Sequence, residues 1–411
     1  MYELGKVELC SGHKGFPLGA HGQQIKDFLK AKPNLFDSGF QFPVMVLREN
    51  ALLHNIERMA KYCEGRGVSL APHAKTPMSP QLAKRQMDAG AWGITVANFA
   101  QANIFLDYGF KRIIIANEIV EKTSIREIAA QNANDGIEIL FYVDSLEGYK
   151  IAREAIADIE NAKLHILFEI GTQSGRAGIR DLSLITKILK KMSKDSKFVI
   201  RGVSGFEGAV PDADRKGKGI KNLRRFLQQV VSGAEIVAPF VKQGKIIISA
   251  GGSSFFDYVI DEFKKYEGDA LIILRSGGYL THDHILYEKL NPFTQSKAKD
   301  QFIPALEIWS RVLSVPEPKL AILNFGKRDV GNDLHNPLPV KRFSKKLSAF
   351  KAVVLRLNDQ HAYLKISAGS LNVGDLVGCG ISHPCTSFDK WKLIPLINAK
   401  YEVVDCVHTF F

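Results

Sequence analysis

GITVANFAQANIFLDYGFKRIIIANEIV, residues 93–120, reads as strand, helix, strand: two β-branched runs, GITVA and RIIIA, flank a segment of helical period. The same rhythm extends outward in both directions. From about residue 44 to 275, apolar runs alternate with amphipathic segments: PVMVL, VSLAPH, GITVA, RIIIA, EILFYV, LHILFEI, FVIRGVSGF, KIIISA and ALIIL. Alternation of this kind predicts an α/β architecture built from repeated βα units, with a parallel sheet. Eight strands close a (β/α)8 barrel, so one of the nine runs is surplus, and the first is free to belong to a neighbouring domain. The helices include NALLHNIERMAKYC and SPQLAKRQMDAGA, the latter opening with Ser79 as a candidate N-cap and Pro80 at the first helical position.

After Tyr279 the alternation stops. EIWSRVLSV, KLAILNF, KAVVLRL and AYLKIS, separated by turns rich in Pro, Gly and Asn, read as strands of a smaller, mostly-β domain. The expected division is a barrel over residues 41–285, with residues 1–40 and 286–411 forming the second domain. At 411 residues and 45% hydrophobic content, the chain is long enough for both cores. Its five scattered cysteines contain no CxxC pair, which argues against a disulfide framework and for a reducing compartment. With no signal-like start and no run of eighteen apolar residues, the expectation is a cytoplasmic protein with no membrane association. The net charge of +12 sits in short lysine runs interrupted by acids and without interleaved aromatics, which predicts solvated helix faces and no nucleic-acid partner.

In a (β/α)8 barrel the βα loops converge on one mouth, so the positions just after each strand deserve separate inspection. They are His73 and Lys75, Asn98, Asn117 with Glu118, Asp144 with Ser145, Arg176, Glu207, Gly251 to Ser254, and Gly277, Gly278 and Tyr279. SAGGSS and RSGGYLTHD place glycines and hydroxyls where backbone amides can surround a phosphate, although each loop alone also fits a tight βα turn. No GxGxxG, GxxxxGK[ST] or GxSxG occurs, which argues against a dinucleotide fold, a P-loop enzyme and an α/β-hydrolase. Lys75, in APHAKTP, stands where partial desolvation would suit it to Schiff-base or general-base chemistry, though most lysines have no such task. His383 and Cys385, in GISHPCTSFDKW, are spaced to offer imidazole and thiolate to one divalent ion with open positions. The same spacing also describes a buried histidine near an unrelated cysteine. His282 and His284 in THDHI read as the end of a barrel loop with local hydrogen bonds.

Taken together, PVMVLRENALLHNIERM, APHAKT, YVDS, GRAGIR, SAGGSS, LRSGGYLTHD, PALEIWSRVLSVPEPKLAILNFGKRDVGND, LNDQHAYL and GISHPCTSFDKW, with the stretch quoted first, cover nearly the whole chain. In that order they resemble the D-serine dehydratase and D-threonine aldolase family of fold type III pyridoxal 5'-phosphate enzymes. The FDKW ending is similar to a bacterial branch described as amino-acid deaminases. The resemblance implies an alanine-racemase-like barrel, an attached β-domain and a homodimer. It implies that Lys75 bonds the cofactor, that Gly252, Ser253, Gly277, Gly278 and Tyr279 cradle its phosphate, and that Arg176 lies near its ring. It also makes His383 and Cys385 ligands of a divalent metal, zinc by expectation. Where the family often continues PHxKTHK, this chain has Pro77 and Met78.

The implied reaction is dehydration of a D-β-hydroxy amino acid of the D-serine, D-threonine or D-3-hydroxyaspartate type to an α-keto acid and ammonia. The alternative is retro-aldol cleavage to glycine and an aldehyde. A cysteine as second metal ligand leans toward dehydration, because the family's aldolases carry an aspartate there. A non-catalytic cofactor-binding protein on the same barrel, or an alanine racemase, would leave the β-domain's His-x-Cys pair without a task.

Overall fold

The computed structural model describes residues 4–411. They gather into two compact units, one made of Ala60–Lys75 and Gln86–Gly277, the other of the residues up to Met59 together with Thr76–Arg85 and Gly278–Phe411. Of the nine apolar runs, the first, β1 (Val44–Arg48), stands apart from the other eight. It pairs antiparallel with Leu306–Glu317 and parallel with Leu393–Ile397, in the second unit's sheet. The expected boundary at residue 41 therefore shifts, because both faces of β1 are buried among that sheet's side chains.

The other eight are β2 (Ser69–Leu70), β3 (Ile94–Val96), β4 (Arg112–Glu118), β5 (Glu138–Val143), β6 (Leu164–Ile170), β7 (Phe198–Gly205), β8 (Ile246–Ala250) and β9 (Ala270–Leu274). They form one parallel sheet in the order β2-β9-β8-β7-β6-β5-β4-β3. Its two ends meet: Ala74 N donates to Thr95 O at 2.7 Å, Thr95 N to Pro72 O at 3.0 Å, and Trp92 N to Leu70 O at 2.7 Å. The result is an almost closed eight-stranded barrel. Ala71, Ile114, Leu140, Tyr142, Leu167, Ile247 and Ile273 cluster together, drawn from alternate positions as the two-residue period of strands requires. Each large apolar side chain taken from water there contributes roughly 1.5–3 kcal/mol.

Helices between the strands turn one apolar stripe inward. In Ser183–Met192 the buried residues are Ile185, Ile188, Leu189 and Met192, at helical spacing. Asn98 caps Phe99–Asp107 by accepting from Gln101 N, and Ser145 caps Leu146–Ala155 by accepting from Gly148 N. Pro80 opens the helix Pro80–Asp88 as expected, but the Ser79 hydroxyl is buried without a hydrogen-bond partner, so it makes no side-chain cap.

The second unit continues with β10 (Leu306–Glu317), β11 (Leu320–Leu323), β12 (Leu338–Phe343), β13 (Leu347–Ala349), β14 (Ala352–Leu357), β15 (Ala362–Ile366), β16 (Leu376–Gly380), β17 (Leu393–Ile397) and β18 (Val403–His408). The main path runs β13-β12-β16-β10-β1-β17-β18, while the far end of β10 pairs with β11, which leads through β15 to β14. Leu9, Phe16, Ile25, Phe28, Leu35 and Phe40 pack against Val44, Val46 and Trp309 of this sheet. All five cysteines are free thiols. Among the described residues, no helix is long and apolar enough to cross a membrane.

Candidate active site

The ends of the barrel strands carry the first group of expected residues. Lys75 follows β2 in a turn, with its side chain exposed. Its neighbour His73 records what surrounds it. Desolvation, and then the positive charges of Lys75, Arg275 and Arg176, hold this imidazole well below its ordinary pKa, against a smaller opposing effect from the Thr95 backbone. His73 is consequently neutral at pH 7, and its buried Nδ1 has no hydrogen-bond partner. Three positive charges thus act on one uncharged ring, a setting suited to an anionic ligand.

The two glycine loops are joined to each other. Ser276 Oγ, after β9, donates to the carbonyls of Gly251 (3.0 Å) and Gly252 (2.9 Å), after β8. Gly277 lies so close to the His73 backbone that any Cβ would collide with the His73 carbonyl, so only glycine fits there. Glu207, fully buried, accepts from Gly251 N at 3.0 Å and from Gly252 N at 2.5 Å. Burial pushes its pKa up, while those amides and Arg275 pull the other way. The Gly252 amide, expected to face a phosphate, has Glu207 as its acceptor here; Ser253 is next in the same loop. Arg275 is buried nearby, donating to Ser204 Oγ and Ser249 Oγ at 2.8 Å each and to Gly205 O at 2.7 Å.

Acids collect at the ends of β4 to β6. Burial, followed by the hydrogen bond and charge of Glu169 and the charge of Asp144, raises Glu118 to about 9. Two carboxyls in hydrogen-bond contact hold a proton between them, because both cannot ionise cheaply in a desolvated site. Tyr142, raised chiefly by burial, accepts from Ser204 Oγ at 2.7 Å and so connects the acids with Arg275.

Within the other unit, Gly278 and Tyr279 are buried in a short 3-10 turn, where Gly278 O accepts from His282 N and the Tyr279 ring tilts against Phe302. His282 pairs with the nearby Glu288, the expected local role, whereas the His284 ring packs against the distant Gly380 and its Nδ1 has no hydrogen-bond partner. His383 and Cys385 do come together. A hydrogen bond with Cys385, partly offset by burial and reinforced by Asp333, raises His383 to about 9. His383 Nδ1 lies 2.7 Å from Asp333 Oδ2, and Thr386 Oγ1 donates to Asp333 Oδ1 at 3.0 Å. Thr76, the residue after Lys75 in the chain, places its hydroxyl 3.0 Å from Cys385 Sγ.

Among the described residues, no group of three or more His, Cys, Asp or Glu side chains is arranged to hold a metal ion. The His383–Cys385 pair nevertheless fits a two-donor, open divalent site: the carboxylate at Nδ1 orients the ring and leaves Nε2 as the ligating atom. The barrel mouth fits pyridoxal phosphate equally well. It offers an accessible lysine and, in Lys75, Arg275 and Arg176, positive charges that act on one neutral ring. Glu169, Tyr142, Ser204, Ser249, Arg275 and Asp333 were missed in the sequence. For Glu169, Ser204 and Ser249 a signal existed, since each is a polar residue near the C-terminal end of a mostly apolar run, and Arg275 directly follows such a run. Asp333 carried none, being fifty residues from His383.

Two family models match in tandem: the alanine racemase N-terminal domain over residues 47–244 and the serine dehydratase domain over residues 305–397. The chain is 23% identical over 390 residues to a 3-hydroxy-D-aspartate aldolase of Paracoccus denitrificans, covering 93% of this chain and 95% of that protein. It is 31% identical over 140 residues to a D-threo-3-hydroxyaspartate dehydratase of Delftia sp., covering 33% and 35%. The crystal structure of D-threonine aldolase from Filomicrobium marinum superimposes with a TM-score of 0.76 at 19% identity, over 90% of this chain and 95% of that one.

Proposed function

We propose that this chain, which belongs to the D-serine dehydratase and D-threonine aldolase family of fold type III pyridoxal-phosphate enzymes, is a metal-assisted lyase that dehydrates a D-β-hydroxy amino acid. The observation that carries the reading is the His383–Cys385 pair braced by Asp333. When bound, pyridoxal phosphate supplies an electron sink for charge at the substrate's α-carbon, and a divalent ion pulls on its β-oxygen.

The chain's own residues perform the remaining tasks. Lys75 would hold the cofactor, and its Nζ would be the group that takes the substrate's α-proton. His383 and Cys385 hold the ion, with Asp333 fixing the imidazole tautomer. Arg176, Arg275 and Lys75 draw anionic ligands toward the mouth, and the missing Cβ at Gly277 lets the loop after β9 pack on the His73 backbone. Loss of the α-proton and the β-hydroxyl amounts to loss of water; the released enamine tautomerises to an imine, which takes up one water to give an α-keto acid and ammonia. A homodimer, checked by sedimentation, belongs to the same proposal.

The second reading is retro-aldol cleavage, favoured by the aldolase named among the full-length relatives. The two differ in which proton leaves: the one on Cα, or the one on the β-hydroxyl. Purified protein supplied with pyridoxal phosphate and zinc is given D-serine, D-threonine and D-3-hydroxyaspartate in turn. Keto acid and ammonia are the expected products; glycine with an aldehyde as the sole products would establish the aldolase instead.

A further inference from the structure

The loop GTQSGRAGIR, after β6, carries Arg176 and is built around a second arginine. One guanidinium, that of Arg180, donates to four consecutive backbone carbonyls: through one nitrogen to Ala177 O (2.5 Å) and Gly178 O, and through the other to Gly175 O (3.0 Å) and Arg176 O (2.9 Å). Four carbonyl dipoles pointing at one spot repel one another unless a cation with several donors sits among them. A lysine offers a point charge on a flexible stem, whereas the planar fork of arginine serves separate acceptors at fixed angles.

The surroundings are shaped to hold this fork. Gly171 lies against it, and a Cβ there would collide with both the Arg180 guanidinium and the Ala177 carbonyl. Gly178 has φ of +97° and packs on Gly171, with its N–H donated to Asp144 Oδ2 at 3.0 Å. The ends of the loop are tied by Ile179 N to Glu169 O at 2.7 Å and Gly171 N to Ile179 O at 2.9 Å. Arg176, by contrast, is exposed and leans over the Phe206 ring at 5.6 Å, and its charge is felt at His73.

We propose that Arg180 is a positioning residue: by gathering the carbonyls of residues 175–178 it fixes the backbone that presents Arg176 to the barrel mouth. This rests on reading that mouth as the pyridoxal-phosphate site. Any contribution Arg176 makes to holding the cofactor then depends on Arg180, although Arg180 itself touches only the chain.

The test is a double-mutant cycle on the full-length protein, reading the dissociation constant of pyridoxal phosphate by absorbance titration. Amide hydrogen exchange across residues 172–180 is measured alongside. Arg176→Ala and Arg180→Ala are each expected to weaken cofactor binding by about 10-fold, the scale of losing a group that orients a ligand. The double variant should be no weaker than either single one, since the two act through one contact. Exchange in the loop should quicken in Arg180→Ala and Arg180→Lys but not in Arg176→Ala, whose carbonyl remains. Arg180→Lys keeps the charge and serves if the alanine variant fails to fold; it too should weaken binding.

Additive losses, or wild-type cofactor affinity in the Arg180 variants, would overturn the inference while leaving the cofactor reading intact. Wild-type affinity in Arg176→Ala would remove Arg176 from the site and the inference with it. A chain that takes up no pyridoxal phosphate would defeat the underlying reading first.

Discussion

The barrel mouth and the His383–Cys385 turn both shift the chemistry of their side chains, but by opposite routes. At His73, Glu118, Tyr142 and Glu207, burial is the leading cause. At His383 a hydrogen bond leads, with burial working against it. The mouth is assembled from strand ends far apart in sequence, so its groups are desolvated together and answer to one another. The turn brings its two donors together by sequence, two residues apart, while the carboxylate that braces His383 comes from fifty residues away. Damage at the mouth should therefore spread, whereas damage at the turn should stay confined to the ion it is proposed to hold.

Substitutions can break this contrast. The largest effect is expected from Lys75→Ala, which removes the amine proposed to bond the cofactor: turnover should fall by at least ~1000-fold. The visible absorbance of the lysine-bound cofactor should vanish with it, and retention of that band would displace Lys75 from the site. Cys385→Ala comes next, with a drop of about 100-fold in kcat/KM and loss of bound metal by elemental analysis, while cofactor absorbance stays unchanged. If cofactor binding fell as well, the turn would not be separable from the mouth.

Asp333→Asn should be milder, costing about 10-fold in zinc affinity by competition with a chelator, because the ring keeps a hydrogen-bond partner but loses the carboxylate's charge. The smallest effect tests the mouth by pH. Glu118 binds its proton up to about 9 in the folded chain, against a usual value of 4.5. Between those two values the folded state holds more protons than the unfolded one, so stability falls as pH rises through that window. Glu118→Gln cannot ionise and escapes the loss. Its Tm should exceed the parent's by ~3 °C near pH 9 and match it near pH 4. Parallel curves at all pH values would mean that the Glu118–Glu169 contact does not hold a proton.

Much of this molecule was legible before any coordinates. The nine apolar runs were all strands, because β-branched segments of five or so residues between helical stretches have few other ways to be buried. Position after a strand was enough to single out His73, Glu118, Asp144 and Glu207, whereas spacing left His383 and Cys385 open and only the family resemblance made them a metal pair. β12, β13, β16 and β17 give weak strand signals, being short or interrupted by glycine or proline, and in β18 Asp405 and His408 dilute the apolar run. The place of β1 was left open, since a run buried on both faces looks the same in a barrel as in a mixed sheet.

What the sequence by itself determined was periodicity and order: where strands begin and end, and which residues must follow them. Which acid shares a proton with which, that Glu207 accepts from the Gly251 and Gly252 amides, that Arg180 collects four carbonyls, and that Asp333 braces His383 were decided only by the tertiary structure. The reason is physical. Backbone periodicity is a local property with a repeat of two or 3.6 residues, whereas hydrogen bonding and desolvation depend on distances across the fold that no spacing along the chain encodes.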